Sequence, residues 1–352
     1  MKPCAAALAL ALAACNNGFD HQYLVTDLRV LSIHVEVQGS GVDPDGVTTA
    51  TQADGIPGDM LELSALVANP TGRAGVAVRW YGCLPTPDET LPPCADPAFL
   101  SDPSRLDNAA DKGVLPLGTC SPVDGVCSVT VPLPAASDPT YGTQVQSALD
   151  FILSIAVNDL AYRCRLYADM PIVAVAVADG RRDVALKRVR ITPSESTILE
   201  KLPEDPYVVN HNPIVQEIVR APTATDGSCG GGTAVTPVTF PAGQTVLCGE
   251  PPDVGFPGTA ETFNVCVVEL GSDGNPVLTL TPTSEHFSWQ WFTTGGEFPD
   301  FGEGIGNATG KSLSFVRPPD PFTLWAILRD GRGGEVWFRQ KVCSTDGLSC
   351  PP

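Results

Sequence analysis

Apolar and polar residues alternate along several short runs of this chain, and the alternation places one strand after another. In "DLRVLSIHVEV", Leu31, Ile33, Val35 and Val37 share one face, while Ser32, His34 and Glu36 share the other. "GDMLELSALVANP" puts Leu61, Leu63, Ala65 and Val67 inward, and "VAVRWYGC" does the same with Val76, Val78 and Trp80. "PIVAVAVADGRRDVALKRVRI" predicts two strands joined at Asp179-Gly180, a dipeptide suited to a turn that needs positive φ. The same order recurs further on. "NHNPIVQEIVR" leads into "ETFNVCVVELGSDG", with Phe263, Val265 and Val267 in phase, then "HFSWQWF", with Phe287, Trp289 and Trp291 on one face. "FTLWAILRDGRGGEVWFRQKV" closes the series as a hairpin turning at Asp330-Gly331. Helical spacing occurs in one place, at Val145, Ala148, Leu149, Ile152 and Leu153, and predicts a short helix packed on the strands.

Each half therefore runs strand, loop, strand, tryptophan-bearing strand, insertion and hairpin. With 34 Gly and 34 Pro to punctuate the strands, the expected class is all-β. The expected boundaries are 27–191 for the first module, with an insertion at 83–164, and 210–343 for the second. A linker at 192–209, rich in Pro, Ser and charge, reads as extended and exposed, and 344–352 is a tail.

Short alternating strands with a tryptophan in the third resemble immunoglobulin-like sandwiches. The terminal "RDGRGG" hairpin is similar to the last two strands of Ig-like, cadherin-like and PKD-like modules of bacterial surface proteins. The resemblance implies two antiparallel β-sandwiches in tandem. Cys83 is out of phase with Trp80, so no antibody-type core bridge is expected, and Cys83 reads instead as a staple for the insertion.

The amino terminus carries a different signal. Lys2 and the apolar run Cys4–Ala14 have signal-peptide proportions and are too short for a membrane span. Leu12-Ala13-Ala14-Cys15 resembles the lipobox of bacterial lipoproteins. That resemblance implies removal of residues 1–14, lipidation of Cys15 and a tether over 15–26. In enteric members of the family an aspartate after the cysteine marks inner-membrane retention; Asn16 stands here, which implies the outer membrane. Several acyl chains exceed the two signals needed for stable anchoring.

An extracytoplasmic address gives the cysteines a meaning. Setting aside Cys4 and Cys15, ten of the 12 remain, an even number suited to disulfides. Local spacing suggests Cys83 with Cys94, Cys120 with Cys127, Cys229 with Cys248 and Cys343 with Cys350. Cys164 and Cys266 are left as a bridge between the halves or as two free thiols. Zinc needs tight knuckles or histidines at helical spacing, and neither is present.

A formal charge of -19 repels phosphate backbones and anionic lipid head groups, which excludes nucleic acid and direct membrane-surface binding as leading readings. Four histidines, His21, His34, His211 and His286, lie in no nucleophile or zinc-protease motif. The chain is read as non-catalytic and without a cofactor. Oxygen-rich segments offer a weak calcium reading at Asp43 and Asp45, with Asp54 and Asp59 nearby. Asn210 and Asn212, in "NHNP", loosely resemble a cadherin interdomain calcium linker, to which Asp179 or Asp205 could add an oxygen. Trp325 and Trp337, on the two strands of the last hairpin, form a stacking platform for sugar or peptide if they point outward, and core if inward. The acidic loop "GEFPDFGEGIG" is a second candidate contact, while "NAT" at Asn307 is a sequon without meaning in a bacterium. The expected function is adhesion, recognition or assembly by a lipoprotein of the cell envelope, facing the periplasm or the surface. Its partner is an unknown protein or glycan, and the other reading is a structural subunit of an outer-membrane or secretion-associated complex.

Overall fold

The computed structural model describes residues 24–38, 40, 51–84, 94, 96–135, 137–202, 209–213, 217–221, 233–234, 238–240, 244–250, 262–270, 272, 275–285, 287–295, 306–307, 312–316 and 322–344. Within 217–264, 306–316 and 340–344 it describes the backbone alone. The lipobox, Asp43, Asp45, Asp205, Cys229, Cys350, His21, His286 and residues 296–305 of the acidic loop lie outside the described residues.

The first module is a seven-stranded sandwich. Its strands are β1 (Arg29–Val37), β2 (Met60–Ala68), β3 (Ala77–Cys83), β4 (Val114–Cys120), β5 (Val126–Pro132), β6 (Ala168–Ala178) and β7 (Arg181–Ile191). One sheet has the order β1-β2-β5, the other β4-β3-β6-β7, and every pairing is antiparallel. Between them lie Leu61, Leu63, Ala65 and Val67 of β2 with Val78 and Trp80 of β3, the residues the alternation placed inward. The β6–β7 hairpin turns at Asp179 and Gly180, both at positive φ (45° and 74°), where glycine carries no steric penalty.

Four expectations change here. First, β1 does not keep one phase. Val30 opposes Val67 and Ser32 opposes Leu66, so Leu31 is an extra, bulged residue. Ile33 and Val35 stay in the core, but Leu31 is turned to the opposite face, because a one-residue slip swaps faces. Second, the span 83–164 is not a single insertion, since β4 and β5 inside it are integral sandwich strands. The added material is a helical patch around α1 (Pro97–Leu100), then α2 (Gly142–Asn158). The patch covers the outer face of the β3–β6 sheet, burying Tyr81, Cys83, Val173 and Val175 under Cys94, Leu106 and Ala109. Val145, Ala148 and Leu149 of α2, the helix that the 3.6-residue spacing predicted, pack on the sandwich core.

Third, the part of the linker described at 192–202 is neither extended nor wholly exposed. Ser194 caps α3 (Glu195–Lys201) by accepting from the Thr197 amide. Ile198 and Leu202 are then buried against Leu153 and Ala156 of α2. Fourth, a disulfide does sit against the core tryptophan, but a different one from that of antibody domains. Cys120 ends β4 and Cys127 lies in β5, so their bridge staples the crossing from one sheet to the other. The Trp80 indole N–H points at Cys120 Sγ, 3.2 Å away.

The second module begins at β8 (Glu217–Ala221), followed by β9 (Thr233–Ala234), β10 (Val238–Phe240) and β11 (Gln244–Glu250). It continues with β12 (Thr262–Leu270), β13 (Pro276–Ser284), β14 (Ser288–Thr293), β15 (Gly306–Asn307), β16 (Ser312–Val316), β17 (Phe322–Arg329) and β18 (Glu335–Ser344). Its sheets run β10-β18-β17-β14-β15 and β16-β11-β8-β9. The β12–β13 hairpin joins neither sheet, contrary to the expected place of "ETFNVCVV" within the sandwich. Cys266 of this hairpin is bonded to Cys164, just after the turn at 160–162 that the hairpin packs against. The protein is thus all-β in its framework, with two Ig-like sandwiches, few helices and disulfide staples.

Candidate functional site

The two modules meet over a shared apolar layer. Leu31, Leu66 and Ala68 come from the outer face of the β1–β2–β5 sheet; Phe292, Trp325 and Ile327 come from β14 and β17. Strand β17 is consequently buried on both faces, with Leu324, Ala326 and Leu328 on the side opposite Trp325 and Ile327. Trp337 packs half-buried against the same layer, and its ring meets His34 edge-on with centroids 5.6 Å apart. The expected platform of Trp325 and Trp337 is therefore part of the module interface. The chain ahead of β1 joins in. Leu24 bridges Thr293, the Val25 amide donates to the Thr293 carbonyl at 2.8 Å, and Val25 is buried, so the end of the expected tether is docked on the second module.

Beside this layer runs a buried polar network. Glu335, 2% exposed, lies at the start of β18. It accepts from Ser32 Oγ at 2.7 Å and Arg329 Nε at 3.0 Å, and Lys187 Nζ stands 3.4 Å away. Burial pushes the Lys187 ammonium below the ordinary lysine range, with Glu335 and Asp330 acting against that shift. His34 Nδ1 lies 2.5 Å from the Glu335 carbonyl oxygen and its Nε2 3.1 Å from Glu36 Oε2. That carboxyl is held below its usual range chiefly by the hydrogen bond from His34.

Asn210 and Asn212 clamp the same junction. Asn212 Nδ2 donates to the Val35 carbonyl at 2.8 Å and to Thr51 Oγ1 at 2.9 Å, while its Oδ1 accepts the Glu335 amide at 3.0 Å. Asn210 donates through Nδ2 to Asp330 Oδ2 and through its backbone amide to Asp54 Oδ2. Asp330 Oδ1 in turn accepts the amides of Arg332, Gly333 and Gly334, fixing the β17–β18 turn. These asparagines join modules by direct hydrogen bonds. Among the described residues no group of three or more His, Cys, Asp or Glu is placed to hold a metal ion. Asp59 accepts the Ile56 amide, and Asp179 occupies the β6–β7 turn, both apart from the asparagine pair.

Three disulfides are formed among the described residues: Cys83–Cys94, Cys120–Cys127 and Cys164–Cys266. The last links the halves. Partners of Cys248 and Cys343 fall outside the described side chains.

A crevice of about 350 Å³ opens where the edge strands β1 and β7 of the first module meet the β17–β18 turn of the second. Leu31, Ser32 and Ile33 form one wall and Ala185 to Arg188 the other, with Arg329, Glu335 and the glycines of the turn across the end. Nothing in the sequence pattern marked it, because its walls come from three separated segments.

No protein-family model matches the chain, and no curated protein matches it. Among solved structures it is similar to dimeric latent PorU from Porphyromonas gingivalis at 12% identity, over 90% of this chain and 24% of that one, with a TM-score of 0.20. It is also similar to the mixed-linkage glucan utilization protein SGBP-B of Bacteroides ovatus at 10% identity, over 89% and 70% of the two chains, TM-score 0.17. A chimeric titin Z1Z2 stands at 10% identity over 90% and 99%, TM-score 0.16. This chain spans about a quarter of the length of PorU. Likenesses at such TM-scores carry no argument. The class is defined by the molecule's own sheets: an all-β protein of two Ig-like sandwiches. Among the described residues no helix is long and apolar enough to cross a membrane.

Proposed function

We propose that this chain is a non-catalytic lipoprotein of the bacterial cell envelope, whose two coupled Ig-like sandwiches recognise a ligand or surface. The observation that supports this most is the shared buried layer of Leu31, Leu66, Phe292, Trp325 and Ile327, which makes the pair a single rigid presenting body. The lipobox resemblance supplies the anchor. Val25, buried against the second module, is ten residues beyond Cys15, so lipid on Cys15 would hold the module junction within roughly 36 Å of the bilayer. The waist of the molecule, rather than one tip, would then face the membrane, leaving the far ends of both sandwiches free. Labelled palmitate is expected to enter the wild-type protein and not the Cys15→Ala variant. Equal absence from both would remove the anchor from this reading. Proteolysis of intact cells then separates a surface-facing from a periplasmic position.

A second reading, assembly into an envelope complex, is favoured by the β12–β13 hairpin. Leu270 is 78% exposed and Val265, Val268 and Val277 are exposed with it, on a two-stranded ribbon outside both sheets. Apolar ribbons with unpaired edges suit pairing with another chain. Recovery of one partner in fixed stoichiometry, lost on Leu270→Lys, would favour assembly over ligand recognition.

A further inference from the structure

Five polar contacts form a closed circuit across the module junction, and their directions leave one proton to be assigned. Asn212 sets the sense. Its Oδ1 accepts the Glu335 amide at 3.0 Å, and its Nδ2 donates to Thr51 Oγ1 at 2.9 Å. The Thr51 hydroxyl then hydrogen-bonds the Glu36 side chain, and a hydroxyl has one proton to give. Glu36 Oε2 lies 3.1 Å from His34 Nε2, and His34 Nδ1 lies 2.5 Å from the carbonyl oxygen of Glu335, where the circuit began. His34, Glu36 and Thr51 belong to the first module and Glu335 to the second, so the imidazole closes the circuit from one module to the other.

Both neighbours of the imidazole are acceptors. A peptide carbonyl has no proton to donate, and Glu36, whose carboxyl is held below its usual range chiefly by the hydrogen bond from His34, accepts as a carboxylate. A neutral imidazole has one N–H and one lone pair, so it would set acceptor against acceptor at one of the two contacts. The imidazolium donates to both. Its side chain is 16% exposed and meets the Trp337 ring edge-on, which leaves little water to replace a lost partner. Across the ladder on β2, neutral Ser64 stands opposite His34, and Glu62 stands opposite Glu36 as a further carboxylate. From the second module and β7, the cations Arg329 and Lys187 face this region, but both are engaged by the Glu335 carboxylate at 3.0 and 3.4 Å. Asp330 attracts Lys187 as well.

We infer that the joined modules hold a proton at their junction: His34 stands there as an imidazolium, donating to Glu36 in its own module and to the Glu335 carbonyl of the other, and loss of that proton loosens the clamp. The joined form then keeps the proton more firmly than the unfolded chain does. Its contribution to stability is therefore complete on the acid side of the ordinary histidine value of about 6.5 and is lost as pH rises above it. The surroundings of the protein set how tightly its two sandwiches are coupled, with acid tightening the junction. This device goes beyond the recognition reading and does not depend on the lipid anchor.

Nitrogen-15 spectra of the histidine side chains in the purified full chain are the test, with His34→Gln identifying the resonances. At about pH 7 the folded chain is expected to carry protons on both ring nitrogens of His34, and the urea-unfolded chain mainly on one. Urea unfolding gives a second readout. Between about pH 6 and about pH 8, the wild-type equilibrium should move roughly three- to tenfold further toward the unfolded state than that of His34→Gln. Lys187, Asp330 and the other titrating groups are present in both chains, so the difference isolates His34. Glu36→Gln supplies an amide that can donate to a bare ring nitrogen, so this variant should fold and lose most of the extra pH dependence. A bare nitrogen on His34 in the folded chain at about pH 7, or a Glu36 carboxyl that holds the proton instead, would overturn the inference. So would a pH dependence that is the same in wild type and either variant. Palmitate labelling bears on the anchor alone and leaves this result standing.

Discussion

Glu335 shows how much one side chain can hold. Its buried carboxylate neutralises Lys187, fixes Arg329 and accepts from Ser32, joining three strands from two modules. Glu335→Ala would leave a buried ammonium without its nearest counter-charge, and losses of about 3–5 kcal/mol are typical of that change. Urea unfolding should register that loss; a change under 1 kcal/mol would mean that the network is solvated. Asp27 makes the complementary case at the surface. Hydrogen bonds from Arg73 and the Leu28 amide lower its pKa from 3.8 to about 2. Because the folded value is the lower one, its stabilising contribution is present above pH 3.8 and disappears as pH falls toward 2. The carboxyl resonance of Asp27 should titrate near 2, and Arg73→Gln should return it toward 3.8. Two of the buried tryptophans differ: Trp80 aims its indole N–H at Cys120 Sγ, whereas Trp325 Nε1 has no hydrogen-bond partner among the described residues. An unsatisfied buried donor costs about 1–3 kcal/mol, so Trp325→Phe should destabilise less than Trp80→Phe in the same unfolding assay.

Among the elements, turns and strand phases were legible and their neighbours were not. Asp179-Gly180 was readable as a turn because positive φ leaves few residue choices. The β2 and β3 faces were readable because nothing interrupts their alternation. The Leu31 bulge was not, since an extra residue is visible only once β2 sets the register from across the ladder. The helix Glu195–Lys201 was masked by the prolines and charges that follow it, although Ser194 and the apolar pair Ile198 and Leu202 were its signals. The β12–β13 hairpin is held to the first module through Cys164–Cys266 rather than through a sheet. Replacing both cysteines with serine should therefore raise amide exchange over 262–284 by an order of magnitude or more and leave the core strands β2, β3 and β6 protected. Unchanged exchange would show that apolar contact alone holds the ribbon.

For the whole molecule, the consequence of the shared layer is cooperativity. Ile327 is fully buried between the sandwiches, and removing such a side chain to alanine costs about 2–5 kcal/mol. Ile327→Ala should lower the unfolding temperature of both halves together in calorimetry. Two transitions, with only the later strands affected, would show that the modules unfold independently. The arginine contacts reach across in the same sense: Arg29 lies over the Phe292 ring at 5.3 Å, and Arg339 donates to the Asp124 carbonyl.

What the amino-acid order determined by itself is local. It set where the chain turns at Asp179-Gly180, which side chains of β2 and β3 face inward, that α2 is a helix, and that Cys83 can reach Cys94 and Cys120 can reach Cys127. These follow from period, φ preference and short loops, all properties of neighbours along the chain. Tertiary structure alone decided what covers the outer faces. Alternation puts Leu66 on the face opposite Leu63 and Ala65 and leaves the direction of Trp325 open; it does not say that the two share one buried layer, nor that Asn210 and Asn212 spend their amides joining modules. The same holds for the crevice, whose walls come together only when β1, β7 and the β17–β18 turn are brought side by side across about 300 residues of chain. Such contacts depend on the packing of completed sheets, and no short window of sequence contains them.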